Sequence, residues 1–267
     1  MKAVVIKLAL VSAALFTANM LVAGEKDKPA PKLEPRVVDS GSFGIYLDGK
    51  RVGTETFKIE QKSDFSTVTA KIKVDDGKTQ AEQSAEMEVN PNGDLRSYTW
   101  HSTVPERAEA SVEPNDQLLT EHLMPADQKK VDVPHILPLS TSILDDNFFS
   151  QREVLMWRYL ASACVHQKDP VQHKDQLSCG PGTFVVLVPH QHASFNATVE
   201  LKGMDKVQVK GTLRDLNKIV LKTADPQRLV VMNSSKEADP EWVMWVDDDY
   251  KLIKISVSGS TIEVIRD

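Results

Sequence analysis

Cysteine is scarce in this sequence, with only Cys164 and Cys179 among 267 residues. Their spacing is far from the C-x-x-C of a redox pair, and two are too few for a disulfide-built miniature scaffold. Aromatic residues make up 6%, and the formal net charge is -6 with no basic stripe. Binding nucleic acid would need such a stripe to neutralise phosphates, so that class is set aside. The 12 glycines are scattered through turns, which leaves no phosphate-cradling loop. G-x-S-x-G, S-x-x-K and H-E-x-x-H, the short signatures of common hydrolases, are all missing. Beyond the N-terminus there is no long apolar run, which excludes a multi-span helical membrane protein.

The N-terminus reads as an export signal. Lys2 and Lys7 precede the apolar stretch at 8–23, and no acid occurs before Glu25. Small residues close the stretch, so residues 1–24 are assigned as a signal peptide cut after Ala23 or Gly24. The 16-residue run carries Ser12, Thr17 and Asn19, too short and too polar for a retained span of about 20 residues. Loss of Lys2 and Lys7 takes the formal charge from -6 to -8. Residues 25–36, with Pro29, Pro31 and Pro35 among charges, read as a solvated linker. The rest, 37–267, is expected to be a single β domain in the periplasm or secreted. In such a compartment the two cysteines should pair, and closing the loop of 14 residues between them contributes about 3 kcal/mol in the chain-entropy model.

Alternation of period two dominates that domain. Phe43, Ile45 and Leu47 share a face before Asp48-Gly49, which marks a tight hairpin turn. Val68, Ala70, Ile72 and Val74 alternate with Thr and Lys, and Phe195, Ala197, Val199 and Leu201 alternate with polar neighbours. Prolines at 105, 114, 125, 134 and 138 predict short or edge strands through 104–146. One stretch, about 145–165, has helical spacing (Phe149, Met156, Leu160, Ala163), with Arg152, Glu153 and Arg158 expected as its polar side. Ser150 and Glu153 would form a capping box if the helix starts beyond Asp146. The fold class is therefore mainly β: a large curved antiparallel sheet or incomplete barrel of roughly a dozen strands around one helix.

The segments GIYLDGKRVGTETFKI (44–59), ILDDNFFSQREVLMWRYL (143–160), FVVLVPHQ (184–191) and WVMWVDDDYKLIKISVSGSTIEVIRD (242–267) resemble exported bacterial proteins of unknown function with a long curved sheet. That sheet is similar in kind to the periplasmic lipoprotein-carrier (LolA/LolB-like) fold, in which an incomplete barrel wraps a greasy cavity. The resemblance implies a fold and a compartment, and brings no catalytic residues with it.

Two groups of residues are candidates for chemistry. His190-x-His192 places two imidazoles on one face if the strand continues through them, a spacing that suits zinc or copper, but no third ligand is near in sequence. Solvated loop histidines are the plainer reading, and no metal or other cofactor is expected. Asp247-Asp248-Asp249 lacks the alternating pattern of a calcium loop and reads as a hairpin turn. Tyr98 and Trp100 share a strand face, whereas Trp242 and Trp245 point to opposite faces. In an open half-barrel these four would be the first places to look for a ligand cleft. The functional expectation is a non-enzymatic binding or carrier module for an apolar small molecule, a lipid or an envelope protein. The alternatives are an envelope hydrolase whose residues converge only in space, and an interaction module that pairs through a sheet edge.

Overall fold

The computed structural model describes residues 34–125, 129–145, 147–168, 175–224 and 241–267. The signal-peptide assignment and most of the proline-rich linker lie outside these residues. Five hairpin-linked strands open the fold: β1 (Arg36–Leu47), β2 (Lys50–Gln61), β3 (Ser66–Asp75), β4 (Gln80–Val89) and β5 (Leu95–Val104). The first turn is built by Asp48 and Gly49, both at positive φ (50° and 75°), the twist a two-residue hairpin demands. The proline-rich middle then forms β6 (Ala108–Asn115), β7 (Leu118–Pro125), β8 (Val131–His135) and the two-residue β9 (Ser142–Ile143). β6 lies inside the sheet despite Pro114. Its pairing with β5 stops at Val112, so the missing N–H of Pro114 costs no ladder bond there.

Helix α1 (Ser150–Ala163) follows, then the short pair β10 (Cys164–Lys168) and β11 (Asp175–Cys179), joined by the Cys164–Cys179 disulfide. The chain returns to the main sheet through β12 (Gly182–Val188), β13 (Ala193–Val209), β14 (Thr212–Ala224), β15 (Glu241–Val246), β16 (Leu252–Val257) and β17 (Ile262–Arg266). Among the described residues fifteen strands form one open sheet, in the order β8-β7-β6-β5-β4-β3-β2-β1-β17-β16-β15-β14-β13-β12-β9. Every neighbouring pair is antiparallel except β9 with β12. The architecture is the mainly β, open curved sheet with one main helix that the alternation predicts, with more strands because the proline-rich middle supplies four.

The sheet curls because one face of almost every strand belongs to a single core. Phe43, Phe57, Ala70, Met87, Val199, Ile219, Met244 and Val264 bury that face in the same cluster as Leu155, Met156 and Tyr159 of α1. The far end of the β13–β14 hairpin bends at Gly203, a bulge at positive φ of 92°, and forms a smaller core on the opposite face. Val207, Val209 and Leu216 there meet Ile253 and Ile265.

The helix corrects two expectations. It starts at Ser150, and no capping box forms, because both side chains are engaged across the sheet. Glu55 of β2 supplies the cap: the Phe149 and Ser150 N–H groups donate to its carboxylate at 2.6 and 3.1 Å, and the Ser150 hydroxyl donates at 2.6 Å. Arg152 and Glu153, expected as the polar side, are buried. Glu153 Oε1 accepts the Leu252 N–H at 3.0 Å and faces Arg266 Nη1 at 3.5 Å, while Arg266 Nη2 donates to both oxygens of Asp39 at 2.7 Å. A buried polar network thus ties α1 to β1, β2, β16 and β17 and fixes the segment just before it, which carries Asp145. Among the described residues no helix is long and apolar enough to cross a membrane.

Candidate functional site

Tyr98, Val112 and Glu121 lie side by side on β5, β6 and β7 and are fully buried on the inner face. A carboxylate in such a row is costly unless donors reach it. Two do. His135 of the edge strand β8 approaches Glu121 Oε2 through Nε2 at 3.0 Å, and His192 approaches the same oxygen through Nδ1 at 3.1 Å. Both rings therefore converge on a single carboxylate oxygen. His135 is 11% exposed in its side chain and His192 48%, while the Glu121 side chain between them is fully buried. Its Oε1 is buried with no hydrogen-bond partner among the described residues.

The connection matters because of where its partners sit in the sheet. Glu121 and His135 belong to the first end of the strand order, and His192 follows β12 at the other end. The two ends of the open sheet therefore meet at this carboxylate. The short 3-10 turn Pro189–Gln191 presents His192, whose backbone is left-handed at φ 50° and whose N–H closes on the Pro189 carbonyl. Beside it the Tyr98 hydroxyl donates to Asp145 Oδ2 at 2.7 Å, and the Asn147 N–H donates to Oδ1. Burial, reinforced by Asp145, holds the Tyr98 phenol well above its ordinary pKa, so it stays a donor.

Between these two ends lies a cavity of about 200 Å³. Trp100, Leu123, Met124 and Pro189 give it apolar walls, and Glu109, Asp145 and His192 are its polar lining. Two larger depressions, each about 400 Å³, lie along β2–β5 and their hairpin ends. The first is floored on the outer face by Thr56, Lys58, Lys71 and Ser84, short or solvated side chains with no buried ionisable group among them. The smaller cavity is the better candidate, because fixed polar groups converge on apolar walls there.

Of the aromatic candidates only Trp100 lines this cavity; Tyr98 is fully buried and reaches its lining through the hydrogen bond to Asp145, and the other two lie elsewhere. Trp242 packs beneath the Arg152 guanidinium, 4.0 Å from its ring centre. Trp245, on the opposite face, donates to Asp205 at 3.3 Å and borders the smaller core. His192 is at the cavity, whereas the side chain of His190 lies outside the described residues. Among the described residues no three His, Cys, Asp or Glu side chains stand as a ready metal-ligand set. Glu121, His135 and His192 are instead hydrogen-bonded through one oxygen. Asp247 caps its own hairpin, its Oδ1 accepting the Asp249 and Lys251 N–H groups. Glu121, His135 and Asp145 are residues that sequence reasoning missed. For Glu121 the signal was an acid in an apolar register, Leu119-x-Glu121-x-Leu123.

No protein-family model matches the chain, and a search of curated proteins returns no match. Among solved structures the chain is similar to the crystal structure of a beta-barrel-like protein of domain of unknown function DUF1849 from Brucella abortus. The identity is 9%, the alignment covers 85% of this chain and 93% of that one, and the TM-score is 0.49. The function is therefore argued from the site alone.

Proposed function

We propose that this chain is an exported binding module, not an enzyme, and that it takes a small and largely apolar ligand between the two ends of its sheet. The observation that carries this reading is the cavity walled by Trp100, Leu123, Met124 and Pro189, with His192 held at its side by the buried Glu121. Export is supported by the signal-like N-terminus and by the Cys164–Cys179 disulfide, a bond that persists in oxidising compartments.

Size narrows the ligand. A volume of about 200 Å³ is below the roughly 300–1,000 Å³ of pockets that enclose drug-sized molecules. A lipid carrier of the LolA/LolB kind needs a larger greasy space, and here the inner face of the sheet is packed against Leu155, Met156 and Tyr159. A small molecule, or one end of a larger one, fits better. An edge-pairing module is less well supported, because the terminal strand β8 has five residues and carries Asp132 and Pro134, which blunt an edge. One observation favours the hydrolase reading: His192 on a buried carboxylate has the arrangement of a general base. The cavity lining contains no Ser, Thr or Cys to serve as its nucleophile.

Native mass spectrometry of the full chain recovered from its own envelope tests the binding reading. A small bound species is expected on the wild type and missing from Ala110→Trp, which fills the cavity from its wall. Identical spectra for the two proteins, or a bare wild-type chain, would overturn it.

A further inference from the structure

The walls of the cavity are built in two ways. Trp100, Ala110, Leu123 and Met124 stand on the paired strands β5–β7, whereas Pro189 and His192 belong to the turn between β12 and β13. The base of that turn is fixed. Val188 pairs with Ala193, Val186 and Leu187 pair with Ser142 and Ile143 of β9, and the Leu144 N–H donates to the Leu187 carbonyl at 3.0 Å. Val186, Leu187 and Val188 are buried, while Gln191 and His192 are exposed. His192 is an unusual residue for its place. Its backbone is left-handed (φ 50°, ψ 32°), where a hairpin loop ordinarily uses Gly or Asn. Its ring reaches Glu121 Oε2 through Nδ1 at 3.1 Å, and Glu121 stands on β7, the strand that carries Leu123 and Met124. The His192 N–H meanwhile donates to the Pro189 carbonyl at 3.0 Å. The turn is thus closed on itself by the backbone and tied across the cavity by the ring.

We propose, resting on the binding reading above, that the turn Pro189–His192 is a lid over the cavity. It is latched shut by the His192 ring on Glu121 and hinged on the Val188–Ala193 pair. Release of the ring lets the left-handed residue relax and carries Pro189 and His192 away from Trp100, Leu123 and Met124. Ligand enters past the open turn, and reclosure holds it. The contact serves as a latch whichever partner supplies the hydrogen.

Two substitutions at one position separate a latch from a merely structural turn. Asn tolerates the left-handed backbone and carries an amide nitrogen and oxygen on Cγ, where His carries Nδ1, so His192→Asn can donate to Glu121 or accept from it. Gly suits the same backbone and has no side chain to latch. In the full chain, His192→Gly should lower the protection of the residue-192 N–H against hydrogen exchange about tenfold or more, the factor that one lost hydrogen bond to a buried carboxyl corresponds to. It should also speed association and dissociation of 2-phenylethanol by a similar factor, followed by stopped-flow fluorescence with Trp100 in the wall as reporter. His192→Asn should stay closer to the wild type than to His192→Gly in both measurements. Glu121→Leu, which continues the apolar register of Leu119 and Leu123, should open the turn as His192→Gly does. In every variant the Leu144 N–H, which reports the base of the turn, should exchange as in the wild type. Unchanged exchange and rates in His192→Gly, His192→Asn as open as His192→Gly, or a loss of protection that spreads to Leu144 would overturn the lid. If none of 2-phenylethanol, 2-phenylethylamine and 3-phenylpropionate binds the wild type, the binding reading falls. The exchange contrast between His192→Gly and His192→Asn then still decides whether the turn is latched.

Discussion

Glu55→Ala should lower the stability of the folded chain by about 3–5 kcal/mol, the largest effect expected of any single substitution outside the hydrophobic core. Glu55 is fully buried and receives three hydrogen bonds at the start of α1: the N–H groups of Phe149 and Ser150 and the Ser150 hydroxyl. An alanine leaves those donors without a partner, and water does not readily reach them. Each orphaned buried donor costs roughly 1–3 kcal/mol, and partial relaxation keeps the total below the simple sum. Glu55→Gln is the control, because its amide oxygen still accepts and its size is kept. It should cost no more than about half as much. Urea unfolding followed by far-UV circular dichroism measures both. A loss below about 1 kcal/mol for the alanine variant would mean that the helix is held by its apolar face and that the cap is incidental.

Stability should fall as pH rises from about 5 to about 8, opposite to the usual behaviour of salt-bridged carboxylates. Burial pushes Glu55 up to about 7 against the pull of its three donors. Glu153 is pushed up to about 8, again chiefly by burial, with the Leu252 N–H pulling it down and the Asp39 carboxylate raising it further. In the unfolded chain both groups release their protons near 4.5. Between that value and the folded one, the native state binds more protons than the unfolded state, so raising the pH favours unfolding. The contribution is fully present below 4.5 and gone above the folded values. The slope is at most about 1.4 kcal/mol per pH unit for each group. Asp39 works in the other direction and elsewhere. Burial raises it, but hydrogen bonding and charge from Arg266 and Lys251 outweigh that and hold it below 3.8, so its contribution is lost only in stronger acid. The urea midpoint is therefore expected to be higher at pH 5 than at pH 8, and the difference should shrink in the Glu55→Gln/Glu153→Gln double variant. A midpoint that rises between those pH values would contradict the burial of these two carboxyls.

The hairpins were legible because their signal is local. Phe43, Ile45, Val68, Ala70 and Ile72 alternate with polar neighbours, and Asp48-Gly49 supplies a turn that few other pairs can form. The start of the helix was less legible, since its cap comes from Glu55, 95 residues away from Ser150. Polar spacing alone made Arg152 and Glu153 look like a solvated side, although the curling sheet closes over them. The two buried acids nonetheless left one trace in common. Glu55 stands in register with Phe57 and Ile59, and Glu121 with Leu119 and Leu123, so each interrupts an apolar face. What no local pattern contains is the meeting of Glu121 with His192, which lie 71 residues apart. It exists only because the sheet curls far enough to bring its first strands to its last. Tyr98 and Trp100 were accessible as a same-face pair, and the partners that turn the pair into a site were not.

The central claim, that ligand is held where the two ends of the sheet meet, is tested most directly by mapping backbone amide shifts of the labelled chain. The titrants are 2-phenylethylamine, 2-phenylethanol and 3-phenylpropionate in turn. For whichever of them binds, the largest shifts are expected at residues 98–102, 108–112, 121–124 and 191–193, with little change at Trp242, Trp245 or along the outer face of β2–β4. Shifts concentrated around Trp242 and Trp245, or on the Thr56–Lys71 face, would place the ligand elsewhere and contradict the account.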